Sequence, residues 1–473
     1  VSPGKGAVGT ALTQSWSTRI RSVLTGGPDT PMVLLGNFEV ENEWAEGEAG
    51  LPRVAVSATR EIANRMDEFC LLLAGPDDHV LLKSAPDDDH VAHLEALGFA
   101  LPRVLTPTVQ DPHRTVTEDV LADPALLDAL GSLTGGPVLW PHGVSPREEL
   151  LAERAGLRLA GPSAAICKAV NGKVYSRELA GELGLRLPQG WTCRTVGELH
   201  GAVAEAGRLL DRGGTVVVKD SFGVSGKGLL VVSERSALER VVRKIARRAE
   251  RTGDDAVSLV IESWVAKKTD LNYQFTIDRD GGCTFDFVRE AVTDGGVHKG
   301  HRMPARLDAA QRAELARAAR AIGERLHADG YVGTVGVDAM VDPDDGLYPI
   351  VEINARNNMS TYQERIRERL IPDGRVALAT QYPLTLRGRL PFSRVADLLQ
   401  DTLMTPGSGE GLLVNNYATV NAAEHRLLAE GRTTFDGRLY GVVVADSDDR
   451  LAALDRRITA RITALTEENR HGH

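Results

Sequence analysis

Gly336-Val337-Asp338-Ala339-Met340 and Ile350-Val351-Glu352-Ile353-Asn354-Ala355-Arg356 are two runs in which aliphatic and polar residues alternate. Period-two spacing reads as paired strands and puts Glu352 and Asn354 on one face, with Val351 and Ile353 on the other. The intervening Asp342-Pro343-Asp344-Asp345-Gly346 is turn chemistry, so the runs form a hairpin with Asp338 alongside Glu352. Two carboxylates and an amide oxygen on a rigid sheet suit Mg²⁺, which takes one or two carboxylates and completes its octahedron with water and phosphate oxygens. Arg356 follows on the same face as a fixed cation. A solvated hairpin that happens to be acidic is the competing reading, and the residues upstream decide between the two.

Upstream, a Val-rich strand Thr215-Val216-Val217-Val218-Lys219 runs into Ser221-Phe222-Gly223-Val224-Ser225-Gly226-Lys227-Gly228, which leads to a strand at 229–232. The glycines Gly223, Gly226 and Gly228 let backbone N–H groups approach an anion, and Ser225 and Lys227 add polar contacts. The loop is not a Walker A motif, because Gly226-Lys227 is followed by Gly228 and then a strand. Lys219 ends its strand beside this loop, and Lys173 lies on the helical segment 164–186; together they would neutralise a polyphosphate. Strand 258–262 ends in Glu262-Ser263-Trp264-Val265. There Glu262 would accept from an adenine amino group, the backbone of 263–265 would read the ring edge, and Trp264 and Val265 would wall the base. Asp270 would take the ribose hydroxyls. Taken singly, each of these is an ordinary strand end or turn.

In this order the set resembles the ATP-grasp superfamily over about 161 to 376. The matching elements are the helix lysine Lys173, the strand lysine Lys219, the Ser-Gly flap 221–228, the hinge 262–265, the ribose acid Asp270, and the triplet Asp338, Glu352 and Asn354. Asp270 stands where relatives often carry Glu. The whole layout, the Leu35-Gly36-Asn37-Phe38 opening and the C-terminal extension are similar to the pheganomycin-type peptide ligases. The resemblance implies an α/β architecture: a pre-ATP-grasp parallel α/β domain (1–163), an α+β ATP-grasp module (164–377, flap lobe about 187–265) and a small C-terminal α/β domain (378–473). It implies ATP and Mg²⁺ as cofactors, two ions, with Mn²⁺ as a possible substitute.

Alternation of strands and helices before residue 163, from Met32-Val33-Leu34-Leu35 through 80–82, 138–140 and 157–160, independently implies a mostly parallel sheet. Residues 1 to about 28 read as a polar arm. A net charge of −10 over 473 residues argues against nucleic acid or an anionic membrane surface. Cys70, Cys167, Cys193 and Cys283 are far apart and read as reduced thiols of a cytoplasmic protein. No apolar run near the start reads as a leader, and none elsewhere reads as a membrane span.

The chemistry implied is a carboxylate–amine ligation through an acyl phosphate, releasing ADP and phosphate, in a natural-product pathway. Arg356 and Arg302, the latter in the basic loop His298-Lys299-Gly300-His301-Arg302, would stabilise the oxyanion, and the two histidines read as surface. Ser360-Thr361-Tyr362-Gln363-Glu364 reads as a capped helix start near the site. Glu39, Glu41, Asn42 and Glu43 follow the first strand, where open sheets place ligands, and would hold an amine. The partners expected are a small carboxylate donor and an amine or peptide acceptor, with a homodimer left open. A small-molecule kinase, or a non-catalytic nucleotide-binding module, would use the same nucleotide residues; a carboxylase lacks a biotin-attachment motif here.

Overall fold

The computed structural model describes residues 15–51, 58–223, 228–294 and 297–471. The first strands, β1 (Met32–Leu35), β2 (His79–Leu81), β3 (Arg103–Leu105), β4 (Val138–Pro141) and β5 (Arg158–Leu159), form a parallel sheet in the order β3-β2-β1-β4-β5. β1 is apolar at every position because it is covered on both faces. Met32 and Leu34 pack with Trp16, Ile20 and Phe69, whereas Val33 and Leu35 pack with Val116, Val120 and Leu151. The strand order reverses between β1 and β4, and open sheets bind ligands beyond the carboxyl ends at such a point. Here Asn37 closes the gap: its Nδ2 donates to Gly143 O (2.8 Å), and its Oδ1 accepts from the His142 N–H (2.8 Å).

The second sheet is antiparallel: β6 (Gly190–Thr195), β7 (Val216–Asp220), β8 (Leu229–Val232) and β9 (Ala256–Ser263), in the order β6-β9-β7-β8. Alternation along β7 sorts its side chains. Val216 and Val218 enter a core with Leu259, Ile261 and the helices Val196–Asp211 and Arg235–Thr252, while Val217 and Lys219 face the cleft. A strap from the N-terminal unit reaches this lobe. Ala49 O accepts from Ser258 N–H (3.1 Å), the Leu51 N–H donates to Asp220 Oδ1 (2.6 Å), and Leu51 joins the lobe's core. Glycine suits the close approach, since a Cβ on Gly50 would lie 2.2 Å from Asp220 Oδ1 and displace the carboxylate that Leu51 N–H holds.

The third sheet holds β10 (Thr269–Ile277), β11 (Cys283–Asp294), β12 (Val297–Met303), β13 (Gly333–Val341), β14 (Leu347–Asn354), β15 (Val376–Leu386), β16 (Gly411–Asn416) and β17 (Phe435–Ala445). Its eight strands run in the order β14-β13-β10-β11-β12-β15-β17-β16, all pairs antiparallel. Helix Ala309–Ala328 lays Leu315, Ala318, Ile322 and Leu326 on the face presented by Leu271, Tyr273, Phe275, Val335 and Val337.

Three expectations change. The boundary at 377/378 falls inside β15, and β15 to β17 extend the central sheet through the β12–β15 pairing; the C-terminal stretch keeps its own core, closed by Leu451, Leu454 and Ile458 of helix Asp448–His471. Segment 164–186 is two helices, Ala164–Val170 and Lys173–Glu182, because Asn171 turns its Nδ2 to Cys167 O and Ala355 O. The stretch containing His301 and Arg302 is strand β12, not a loop.

Helix Thr361–Leu370 starts without the side-chain cap expected of Ser360, whose Oγ instead donates to Asn272 Oδ1 (2.7 Å). Its first turn is anchored by Arg289 of β11, which is 1% exposed and donates to Ser360 O, Gln363 Oε1 (2.8 Å) and Glu364 Oε2. Replacing Arg289 by Met leaves a buried carboxylate without its main partner, so a loss of about 3–5 kcal/mol is expected in urea unfolding. The double variant Arg289→Met/Glu364→Leu should recover most of that loss.

Candidate active site

The three units meet around a cleft of about 340 Å³ lined by β7 and β9 on one side and β10, β13 and β14 on the other. Strand register assembles its acidic end. Asn272, Asp338 and Glu352 pair directly across β10, β13 and β14, and Asn354 sits opposite Gly336. Directly paired residues point to one face, so the three side chains form a row. Asp338 Oδ1 accepts from Asn272 Nδ2 (2.8 Å), and its Oδ2 accepts from Asn354 Nδ2 (3.3 Å). Burial, then the neighbouring Glu352 charge, pushes the Asp338 carboxyl up to about 6 despite those donors and Arg356. A pair of carboxylates that repel each other in a buried place is one that a divalent cation relieves. The set of Asp338, Glu352 and Asn354 is all hard oxygen, which fits Mg²⁺ or Mn²⁺. Among the described residues no group of three or more His, Cys, Asp and Glu gathers, so water and substrate oxygens would have to complete the shell.

Against this row, Lys173 opens its helix and donates from Nζ to Gly223 O (2.7 Å) and Glu352 Oε1 (2.6 Å). Lys219 pairs with Glu262 Oε1, and Arg177 with Glu262 Oε2 (2.9 Å). In the sequence, the signal for Arg177 is its spacing of four from Lys173 on one helix. Asp270 also lines the cleft and accepts from Thr293 Oγ1 (2.6 Å) and from Lys267. Gly223 and Gly228 flank the glycine loop at the cleft wall, and Gly228 takes φ +82° with Asp220 packed against it. Ser225, Gly226 and Lys227 lie outside the described residues.

The hinge needs one revision. Ser263 N–H is bonded to Gln189 O (2.7 Å) and Trp264 N–H to Thr215 O (2.9 Å), so neither donor is offered to a base edge. Val265 and the exposed Trp264 do line the cleft.

Arg356 lies where expected, with Nη2 bonded to Asn354 Oδ1 (2.9 Å) and Nε to Glu41 Oε1 (2.7 Å). Arg302 does not. Alternation along β12 turns His301, 3% exposed, into the cleft, and sends Arg302 to Asp448 Oδ1 (2.5 Å) of the C-terminal helix. The expectation for this pair of residues is therefore reversed, because a loop was read where a strand imposes its period. Glu41 lines the cleft, while Glu43 is bound to Arg147 (2.7 Å) and Ser145, away from it.

Residues 66–157 match the family model described as Pre ATP-grasp domain, and residues 173–363 match that of Carbamoyl-phosphate synthase L chain, ATP binding domain. The chain is 23% identical over 328 residues to the butirosin acyl-carrier protein–L-glutamate ligase of Niallia circulans, covering 68% of this chain and 71% of that one. It is 25% identical over 274 residues to the mitochondrial methylcrotonoyl-CoA carboxylase subunit alpha of Dictyostelium discoideum, covering 55% of this chain and 37% of that one. Among solved structures, biotin carboxylase of Campylobacter jejuni superposes with a TM-score of 0.52 at 14% identity, covering 90% of each chain. An N5-carboxyaminoimidazole ribonucleotide synthetase solved as an ADP complex gives 0.51 at 14% identity, covering 93% of this chain and 98% of that one. At such identities the superpositions speak for the fold.

The raised Asp338 carboxyl has a measurable consequence. Its folded value lies above its ordinary 3.8. Ligand-free protein therefore loses stability as pH rises from about 4 to 6, and the loss stays constant above that. Asp338→Asn is expected to raise the stability of the ligand-free protein at pH 7 by up to about 3 kcal/mol. Denaturation curves should converge with wild type below about pH 4.

Proposed function

We propose, from the premise that this chain belongs to the ATP-grasp superfamily of ATP-dependent ligases, that it joins a carboxylate to an amine through an acyl phosphate. The observation that carries this reading is one cleft in which Lys173 is bonded to Glu352, and Arg356 to Asn354, of a single oxygen-ligand triplet. The superfamily's nucleotide binds between Lys173, Lys219 and the hinge in this reading, with Glu262 and Asp270 turned to base and ribose. Magnesium held by Asp338, Glu352 and Asn354 supplies charge neutralisation on phosphate oxygens. Lys173 and Lys219 hold the phosphates, and glycine backbone at 223 and 228 lets the chain close over them.

A donor carboxylate oxygen attacks the γ-phosphorus, the bond to the β-bridging oxygen breaks, and ADP leaves. The amine nitrogen then attacks the acyl carbon, the carbon–oxygen bond to phosphate breaks, and the nitrogen's extra proton passes to phosphate or water. Arg356 donates to the oxyanion formed in that second step. The donor, the acceptor and a place in antibiotic or other specialised metabolism belong to this proposal, as do a cytoplasmic location and a dimer. Among the described residues no helix is long and apolar enough to cross a membrane.

A ligase and a kinase separate on one measurement. With ATP, Mg²⁺ and a panel of carboxylates, hydroxylamine should trap a hydroxamate and drive phosphate release; a kinase would accumulate a phosphorylated product that hydroxylamine leaves intact. Glu352→Gln should lower turnover about a hundredfold or more with folding unchanged. Lys219→Ala should weaken ATP binding about ten- to a hundredfold in calorimetry, and unaltered affinity would remove its assignment.

A further inference from the structure

Each of the cleft's described cations rests on a resident acid: Lys173 on Glu352, Lys219 and Arg177 on Glu262, Lys267 on Asp270, and Arg356 on Glu41. In all but the last pairing, both partners belong to the nucleotide and metal end of the cleft. Glu41 differs. It comes from the N-terminal unit, on the short helix Val40–Trp44, and it meets Arg356 across 315 positions of sequence.

Its seat is rigid. Val40 and Trp44 are buried in the same core as β10 and β13, the Trp44 indole N–H donates to Val144 O (3.0 Å), and Glu43 is tied to Arg147 (2.7 Å). The arginine is equally fixed, through Asn354 Oδ1 and the Asn357 carbonyl (each 2.9 Å). Both Nε and Nη2 of Arg356 bond to the same Glu41 oxygen. These two donors form the edge with which a guanidinium can receive a carboxylate, and a single Glu41 oxygen occupies both.

We propose that Glu41 is a specificity-determining residue, a resident carboxylate that occupies Arg356 until the donor's carboxylate displaces it. The identity of the displacing group rests on the ligase reading; the occupation itself does not. An arginine fork beside a phosphate site would otherwise take any small anion, and a stray acetate or phosphate there would block the donor or be phosphorylated. Glu41 sets a threshold that only a carboxylate with further contacts in the cleft exceeds. Small anions gain only the fork, and the fork is already satisfied.

The test uses the full chain without ATP and acetate as the probe, followed by isothermal titration calorimetry. Glu41→Gln keeps the shape and removes the charge, so acetate should bind about five- to tenfold more tightly than in wild type. The gain should vanish in the double variant Glu41→Gln/Arg356→Gln. Glu41→Asp, with a shorter reach and the charge kept, should lie between wild type and Glu41→Gln, and it provides a second series should the amide variant fold poorly. Equal acetate affinity in wild type and both single variants overturns the proposal, as does a gain that persists without Arg356. The titration requires no turnover. A protein that takes up Mg²⁺ and ATP but never traps a hydroxamate therefore counts against the ligase reading alone.

Discussion

The register of β13 against its two neighbours is the constraint on which the rest of the site depends. Because Asp338 stands opposite Asn272 on one side and Glu352 on the other, three polar side chains share one face, while their chain neighbours Leu271, Val337 and Ile353 enter the core on the other. A slip of one residue would turn all of them into the core occupied by Val335, Val337 and Ile353. The apolar face fixes the register, and the register assembles the polar row. Core packing and the geometry of the polar row are thus one specification, and helix Ala309–Ala328 holds the row in place by covering the opposite face.

Charge pairing follows from the same confinement. A cleft that must bind a polyanion collects lysines and arginines, and these repel one another when nothing is bound. Resident acids offset that repulsion at short range. Glu262 does so for two cations at once, and Glu352 holds Lys173 while facing Asp338. With these pairings in place, few charges in the ligand-free cleft are desolvated alone. Asp338 is the exception. It has amide donors in place of a cation of its own, and its carboxyl accordingly sits well above its ordinary range.

Much of this was legible in the chain, and the physical reason is local. Hairpin β13–β14 and the inward lysine of β7 each follow from period-two alternation bounded by turn residues, which a single segment displays. What was not legible depends on partners distant in sequence. His301 faces the cleft only because Val297–Met303 is drawn into a strand between β11 and β15, and that pairing is invisible within the basic stretch itself. Ser360 looks like a helix cap, but its hydroxyl is claimed by Asn272 from 88 positions away. Likewise 378–473 reads as a separate unit by composition, yet its strands continue the central sheet across β12 and β15.

The N-terminal unit completes the site by clamping the segment after β14. Asn357 N–H donates to His142 O (3.0 Å) and its side chain reaches Pro141 O (3.3 Å), so the residue following Arg356 is fastened to the end of β4. His142 stacks on Phe38 (4.3 Å between centroids) and shares a hydrogen bond with the Tyr362 hydroxyl (2.9 Å). Burial, then the nearby Arg356 charge, holds this imidazole well below its ordinary value, so it is neutral at pH 7. A neutral ring is what the place requires, since an imidazolium here would add a buried charge beside the guanidinium. Arg356 is therefore positioned by a sheet to which it does not belong and partnered by an acid from the same unit. The cleft is thus walled by two sheets, and the N-terminal unit adds Glu41 to its lining from the short helix that follows β1.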